Sequence, residues 1–293
     1  MFEQLGLIGC GLMGGSFALA ARQAGRVRRV VGYSPSANTT RRALERGVVD
    51  AVAAGAADAA KGSDLILVAV PVGASARTFA AIRDSLRPDA LMMDVGSTKR
   101  DVVEAARRAL GERIAQFVPC HPMVGREVAG VENADAGLYA GGQVIITPIA
   151  ETPPERITQA HAVWQALGCH TLQLTPESHD AALAAVSHLP HLIAFAFIQG
   201  VAAQPEGHRF LSLAGPGFRD FSRIAASNPD MWRDIFLANS AEIKTQLHRF
   251  RAALDHIEQL IENGNAEALV AEIRTASAIR AHWSPAQPVK PTA

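Results

Sequence analysis

Charge of either sign is scarce in this chain. Its 293 residues include 28 Lys plus Arg and 28 Asp plus Glu, so the formal net charge is zero. A nucleic-acid binder carries a basic excess, and so does a protein held on a membrane by a polybasic surface. Neither partner is expected. Aromatic residues are also few, at 5%, which leaves the core to Ala, Val, Leu and Ile. The three cysteines, Cys10, Cys120 and Cys169, are far apart and odd in number. They make no disulfide framework and fit a reducing, cytoplasmic setting. The chain starts without a basic segment leading into an apolar one, so no targeting peptide is expected. Low charge does not imply disorder, because 48% of the residues are hydrophobic. The length corresponds to about two domains of ~150 residues.

One uncharged stretch, Ala181 to Ala203, is long enough to cross a bilayer. It carries Ser187, His188, Pro190, His191 and Gln199, and no Lys/Arg-rich flank sets an orientation. It is expected to be a buried helix of a soluble all-α core, or of a homodimer interface.

The first half alternates strand and helix patterns. Strands are predicted at Leu5–Ile8, Val27–Tyr33, Leu65–Val70, Leu91–Val95, Gln116–Pro119, Gln143–Thr147 and Thr171–Leu174. Helices are predicted at Phe17–Ala24, Thr39–Arg46, Ser75–Leu86, Lys99–Leu110 and Pro154–Leu167. This alternation predicts a doubly wound α/β domain over residues 1–174. Beyond Pro176 the pattern is helical throughout. Helices are predicted at Met231–Phe250, Ala252–Ile261 and Ala266–Ala281, giving an all-α substrate and dimerisation domain over 175–283. The proline-rich tail, 284–293, is expected to be disordered.

Gly9-Cys10-Gly11-Leu12-Met13-Gly14 follows the first strand and opens the first helix. Gly9 suits the tight turn, Gly11 a close backbone approach to a pyrophosphate, and Gly14 close helix–strand packing. The helix N-terminus, from Leu12 and Met13, offers free N–H groups to the phosphates. A dinucleotide is the expected cofactor. At the end of the second strand an acidic residue would select NAD by bonding the ribose 2′-hydroxyl. Ser34 stands there instead, followed by Ser36, Thr39, Arg41 and Arg42. Hydroxyls and guanidinium groups suit a 2′-phosphate, so NADP is favoured over NAD.

Asp94-Val95-Gly96-Ser97-Thr98-Lys99 closes one parallel strand, and Cys120-His121-Pro122-Met123-Val124-Gly125-Arg126-Glu127 closes the next. Ligands of open α/β sheets bind at such strand ends. A neutral imidazole at His121 can accept a hydroxyl proton as hydride leaves the carbon bearing it. Ser97 can hydrogen-bond the imidazole or the hydroxyl. Cys120 is read as a small apolar filler. His188 and His191 share a helix face, but Pro190 lies between them and no third ligand has metal spacing, so no metal is expected.

With these motifs in order, the chain resembles the prephenate/arogenate dehydrogenase family of tyrosine biosynthesis, from about Leu5 to Trp283. The residues that carry the likeness are Gly9 to Gly15, Val68 to Gly73 (V-A-V-P-V-G), Asp94 to Lys99, His121 to Glu127, Ser187 to His191 (S-H-L-P-H) and Gly217 to Ala225. Met231-Trp232-Arg233-Asp234-Ile235-Phe236 follows them.

The resemblance implies oxidation of a cyclohexadienyl alcohol with loss of its ring carboxylate, hydride going to NAD(P)+. It implies His121 as catalytic hydrogen-bond acceptor with Ser97 beside it. It places Val70 and Pro71 against the cofactor, Arg223 on a substrate carboxylate and His188 in the substrate pocket. Asp220 is expected to orient Arg223, Glu127 to pair with Arg126 at the cleft mouth, and Trp232 to wall the pocket or the dimer core. Two alternatives stay open. One is another two-domain β-hydroxyacid-type dehydrogenase, weakened because Lys244 is the only lysine between Lys99 and Lys290. The other is a non-catalytic NADP-binding sensor.

Overall fold

The structure, a computed structural model, describes residues 1–126 and 128–284. Glu127 and the tail from residue 285 lie outside the described residues. The chain divides into two compact units, one from Met1 to Ser240 and one beginning at Ala241.

In the first unit six strands form a wholly parallel sheet: β1 (Phe2–Ile8), β2 (Val27–Tyr33), β3 (Ala51–Val52), β4 (Leu65–Val68), β5 (Leu91–Asp94) and β6 (Phe117–Val118). Their order is β3-β2-β1-β4-β5-β6. Helices α1 (Leu12–Gln23), α2 (Ala37–Glu45), α3 (Ala56–Ala60), α4 (Ser75–Ile82) and α5 (Arg100–Leu110) make the crossovers. The order reverses between β1 and β4, which opens a crevice at their carboxyl ends.

The apolar runs behave as strands buried on both faces. Alternate residues of β4 and β5 split between two cores. Leu65, Leu67, Leu91 and Met93 pack with Phe17 and Trp164, while Ile66, Val68 and Met92 pack with Phe79 and Phe117. Sequence patterning misses β3 and α3, which are too short to show a period. It also starts α1 five residues late, because Gly14 and Gly15 conceal the helix.

A correction concerns the later strands. Cys120–Pro122 (β7), Gln143–Ile146 (β8) and His170–Gln173 (β9) form a separate sheet in the order β7-β8-β9. The β7·β8 pair is antiparallel and β8·β9 is parallel, with helix α6 (Pro154–Ala166) between β8 and β9. Pro119 has no N–H to continue a ladder from β6. Its carbonyl instead accepts the Thr147 N–H at 2.9 Å, and the chain turns into the second sheet.

Helices α7 (Pro176–Leu183), α8 (Leu189–Ala202), α9 (Gly207–Ser212), α10 (Pro216–Ser222) and α11 (Pro229–Ala238) complete this unit. A π turn, Ala184–His188, joins α7 to α8. Pro190 lies just beyond it. A proline within a helix lacks one N–H and pushes its ring at the carbonyl of residue i−4, here Val186. The wider π turn accommodates this. The combined helix Pro176–Ala202 is long and apolar enough to cross a membrane, with a mean hydropathy of 1.8, yet only 28% of its most apolar stretch is buried. The expected burial within a monomer core is therefore not met.

The expected helix Met231–Phe250 is broken. Asn239 ends α11, and α12 (Ser240–Glu262) then runs through position 251 without a gap. Apart from that first residue, α12 belongs to the second unit together with α13 (Ala266–His282). Gly264, at a φ of 61°, makes the turn between them, and the Asn265 side chain accepts the Ala268 N–H to cap α13. His256 and Glu272 approach to 3.5 Å across this pair of helices.

Candidate active site

The glycine loop has the shape that its three glycines predicted. Gly9 has a φ of 102°, and a Cβ there would lie 2.1 Å from the Ala69 carbonyl oxygen. A Cβ on Gly14 would lie 2.1 Å from the Gly9 carbonyl oxygen and 2.9 Å from Leu7. Both positions are filled by the protein itself. Gly11 differs: a Cβ there would meet nothing within 4 Å. Open space therefore borders the loop at the start of α1, where N–H groups are free to bind phosphate. Leu12 is buried and Met13 half-buried; the Met13 carbonyl accepts the Tyr139 hydroxyl at 2.8 Å. Val70 and Pro71 follow β4 on the other side of the crevice, half-buried and exposed. These features fit a dinucleotide cradle.

The groups expected around a 2′-phosphate are partly occupied with other tasks. Ser34 accepts the Cys10 N–H at 2.9 Å, so it holds the glycine loop in place. Ser36 caps α2 by accepting the Thr39 N–H at 3.3 Å. Arg41 is exposed and bonds Glu45 at 2.9 Å and Asn38 at 2.7 Å. Arg42 faces Glu132 at 3.4 Å.

His121 lies in β7, three residues past the end of β6, and is 8% exposed. The loop bearing Ser97 is tied to the same strand. Asp94, the last residue of β5, accepts the Cys120 N–H at 2.8 Å. Lys99, fully buried, donates from Nζ to Asp94 at 2.5 Å and to the Cys120 carbonyl at 2.8 Å. Ser97 itself is half-buried between these anchors. No Ser97–His121 hydrogen bond forms among the described residues; His121 is held from elsewhere. Its Nδ1 lies 2.8 Å from Nε2 of His179, and Nδ1 of His179 lies 2.7 Å from Oδ1 of Asp180.

Asp180 also terminates α5. Its two carboxylate oxygens accept the backbone N–H groups of Lys99 at 2.8 Å and Arg100 at 2.9 Å. A carboxylate on a helix N-terminus gains both hydrogen bonds and the macrodipole. Burial opposes its charge, but the His179 bond and the two N–H donors outweigh that and hold the acid below the ordinary carboxylate range. Burial pushes His121 well below the usual imidazole value, and the neighbouring His179, Lys99 and His188, which would repel a second positive charge, push the same way. His179 is lowered too, by burial above all, against the pull of Asp180. Both rings are therefore neutral at pH 7.

His188, at the end of the π turn, is 1% exposed, and burial takes it down to about 4. Asn239 Nδ2 donates to the His188 Nδ1 at 3.2 Å and to the Asp180 carbonyl at 2.8 Å. With Nδ1 accepting, neutral His188 carries its proton on Nε2 and can donate from there. Trp232 of α11 packs edge-on to His188 at 6.1 Å and stacks on His191 at 3.7 Å. The same helix places Asp234 against Gly73, where a Cβ would lie 2.7 Å from the carboxylate. Helix α11 thus spans from the histidine cluster to the V-A-V-P-V-G loop.

Arg223 is exposed at the start of a 3₁₀ turn, Arg223–Ala226. Asp220 forms an ion pair with its chain neighbour Arg219, at 3.2 Å. Arg126 pairs with Asp135 at 2.6 Å; Glu127, its expected partner, lies outside the described residues. Cys120 is buried, its thiol pushed up to about 12 by desolvation, which suits a filler and not a nucleophile. Among the described residues no group of three or more His, Cys, Asp or Glu could hold a metal.

Sequence reasoning missed His179, Asp180, Asn239 and the structural role of Lys99. A His-Asp pair just after the helix-opening Pro176 was the available signal. Adjacent helix residues normally point apart, and nothing in the spacing shows that His179 lies against both Asp180 and His121.

Residues 17–173 match the family described as "Prephenate dehydrogenase, nucleotide-binding domain", and residues 175–275 match "Prephenate dehydrogenase, dimerization domain". The chain belongs to the prephenate dehydrogenase family. The cyclohexadienyl dehydrogenase of Zymomonas mobilis is 32% identical over 282 residues, covering 96% of each chain. The crystal structure of A. aeolicus prephenate dehydrogenase with hydroxyphenyl propionate and NAD+ superimposes with a TM-score of 0.89. It is 33% identical and covers 96% of this chain and 97% of its own. Synechocystis arogenate dehydrogenase gives a TM-score of 0.82 at 28% identity, covering 96% of this chain and all of its own. In this dehydrogenase family the matched nucleotide-binding segment contains the β2, β4 and β5 edges of the crevice, and the dimerization segment contains His179, His188, Arg223 and Trp232.

Proposed function

We propose that the protein oxidatively decarboxylates prephenate, arogenate or both, in tyrosine biosynthesis, using NAD(P)+. One observation carries the reading: His121 is buried and neutral, and one ring nitrogen is held by His179. The other nitrogen, Nε2, is left as a base. The substrate is a cyclohexadienyl alcohol with a ring carboxylate. His121 takes the hydroxyl proton while hydride leaves the same carbon. Loss of the ring carboxylate as carbon dioxide then makes the ring aromatic, so the reaction runs one way. Ser97 is assigned to hydrogen-bond the reacting hydroxyl, and His188 offers its Nε2–H to a substrate oxygen. Trp232 walls the pocket. Arg223, oriented by Asp220, holds a substrate carboxylate as a planar guanidinium can.

Bound NAD(P)+ supplies the hydride acceptor. Gly9, Gly11, Leu12, Met13 and Gly14 would hold its pyrophosphate, with Val70 and Pro71 along the crevice. No carboxylate stands at position 34 to repel a 2′-phosphate, and Ser34, Ser36 and Arg41 lie at that end. NADP+ is therefore expected to serve at least as well as NAD+. The pairing of Arg41 with Glu45 is exposed and weak, so a phosphate can compete for it. The protein acts in the cytoplasm, where its three buried free thiols stay reduced. It works as a homodimer through its helical part. The sparse cover on Pro176–Ala202 supports this.

The test is reduced-nicotinamide absorbance with prephenate and arogenate each crossed against NAD+ and NADP+. Turnover of neither substrate would refute the reading, and a strong NAD+ preference would refute the cofactor assignment. His121→Asn should lower kcat by about 10²-fold or more while substrate affinity holds. Unchanged turnover would remove His121 as the proton acceptor.

A further inference from the structure

We propose that His179 is a positioning residue for this reaction: backed by Asp180, it fixes His121 in the tautomer whose Nε2 is a base and takes over part of the charge that His121 acquires. The inference rests on His121 being the proton acceptor.

The argument follows the donors and acceptors along three side chains. Asp180 can only accept. Its oxygens already take the N–H groups of Lys99 and Arg100, and Oδ1 also takes His179 Nδ1 at 2.7 Å. The proton of neutral His179 is therefore on Nδ1, and its Nε2 must accept. The atom 2.8 Å from that Nε2 is Nδ1 of His121. His121 is thus protonated at Nδ1, which leaves the lone pair on Nε2. The opposite tautomer would set two lone pairs against each other at 2.8 Å in a buried site, at the cost of an unmade hydrogen bond.

The chain also accommodates the proton once it arrives. The substrate O–H bond breaks and a His121 Nε2–H bond forms, while the O–H electron pair becomes the new C=O bond as hydride departs to the dinucleotide. The His121 Nδ1 proton can then shift along its hydrogen bond to His179 Nε2. This leaves His121 neutral and places the cation on His179, beside the Asp180 carboxylate. The surrounding charges favour that direction. His121 faces Lys99 with no carboxylate beside it among the described residues, whereas His179 faces Asp180 and Asp94 as well as Lys99.

Asp180 has a second attachment that makes the arrangement stiff. By capping α5 it is fixed to the Lys99 backbone, and Lys99 Nζ is fixed to the Cys120 carbonyl next to His121. The acceptor chain and the strand carrying the base are therefore held by the same residues. A base locked within a few tenths of an ångström is what general-base catalysis requires.

The test compares His179→Phe and His179→Gln with wild type, with circular-dichroism melting to check folding. Phe removes the acceptor. Gln puts a carbonyl oxygen near the place of Nε2 but cannot carry a proton. Phe should lower kcat by about 10²-fold with KM within about threefold of wild type. Gln should recover at least tenfold of that loss and still fall short of wild type. A Phe variant with wild-type kcat, a loss confined to KM, or a Gln variant as slow as Phe would each overturn the proposal. One measurement needs no variant: ¹⁵N–¹H correlation of the histidine rings at pH 7.5 should find His121 protonated at Nδ1 and bare at Nε2, and the reverse would also overturn it. His121→Asn, assayed alongside, separates the two levels. If it remains active, the acceptor reading itself fails; if it is inactive while His179→Phe is active, only the role of His179 fails.

Discussion

Arg223 and Ser34 show how far single residues could be read. Ser34 is a hydroxyl where an acid would read a ribose, yet its oxygen accepts the Cys10 N–H. Residue type was legible; the partner was not, because a short loop can turn either way. Arg223 could not be told from an ordinary surface arginine by spacing alone, and it lies exposed at the end of α10. Its assignment as carboxylate clamp makes a measurable difference. A guanidinium that grips a carboxylate equally in ground and transition states sets KM more than kcat. Arg223→Ala should raise the substrate KM by about ten- to a hundredfold, two charge-assisted hydrogen bonds being lost, with kcat changed far less. A KM that stays at wild type would remove Arg223 from substrate binding. Arg223→Lys should recover only part of the loss, since an ammonium keeps the charge without the planar fork.

At the scale of elements, the glycine loop was the clearest text in the sequence. Strand, loop and helix were in order, and Gly9 and Gly14 sit in the tight turn and the close helix–strand contact that their positions predicted, with open space at Gly11. The loop can be dissected by one methyl group. At Gly14 a Cβ would strike the Gly9 carbonyl oxygen at 2.1 Å, and Gly9 is fixed by Ala69. Gly14→Ala should therefore destabilise the apoprotein by about 1–3 kcal/mol, as overpacking does. At Gly11 the same methyl meets nothing within 4 Å. Gly11→Ala should leave the apoprotein within about 0.5 kcal/mol of wild type and weaken dinucleotide binding. Urea unfolding without cofactor and fluorescence titration with reduced dinucleotide read the two effects separately. Equal destabilisation by both variants would contradict the open cradle. Other elements were legible only as composition. Sequence could not tell that Pro119 diverts the chain into a second sheet, or that Pro190 is accommodated by a π turn. Both depend on where a missing N–H falls in a ladder that forms only after folding. Asn239 was hidden for a related reason. It reads as a helix residue until its side chain is seen tying Asp180 to His188.

For the whole molecule, the zero net charge hides a core whose histidines must stay neutral. His121, His179 and His188 are all buried and all pushed below 6.5, each chiefly by desolvation, with His188 at about 4. The unfolded chain protonates these rings near pH 6.5, the folded chain only at lower pH. Between those values the unfolded state binds more protons, so stability rises with pH across the window. The stability these histidines contribute is present above pH 6.5 and is lost as pH falls toward 4. For His188 alone the loss is of order 3 kcal/mol. That is a large fraction of the 5–15 kcal/mol that holds a typical domain together. The urea midpoint, measured at fixed protein concentration because association shifts it, should fall steeply from pH 7.5 to pH 5. His188→Asn tests the cause. Its side-chain carbonyl can still accept from Asn239, but nothing there titrates. The variant should lose less stability over this interval than wild type, even if it is weaker at pH 7.5. A variant whose midpoint falls as steeply as wild type would show that His188 is not among the groups that make the fold acid-labile.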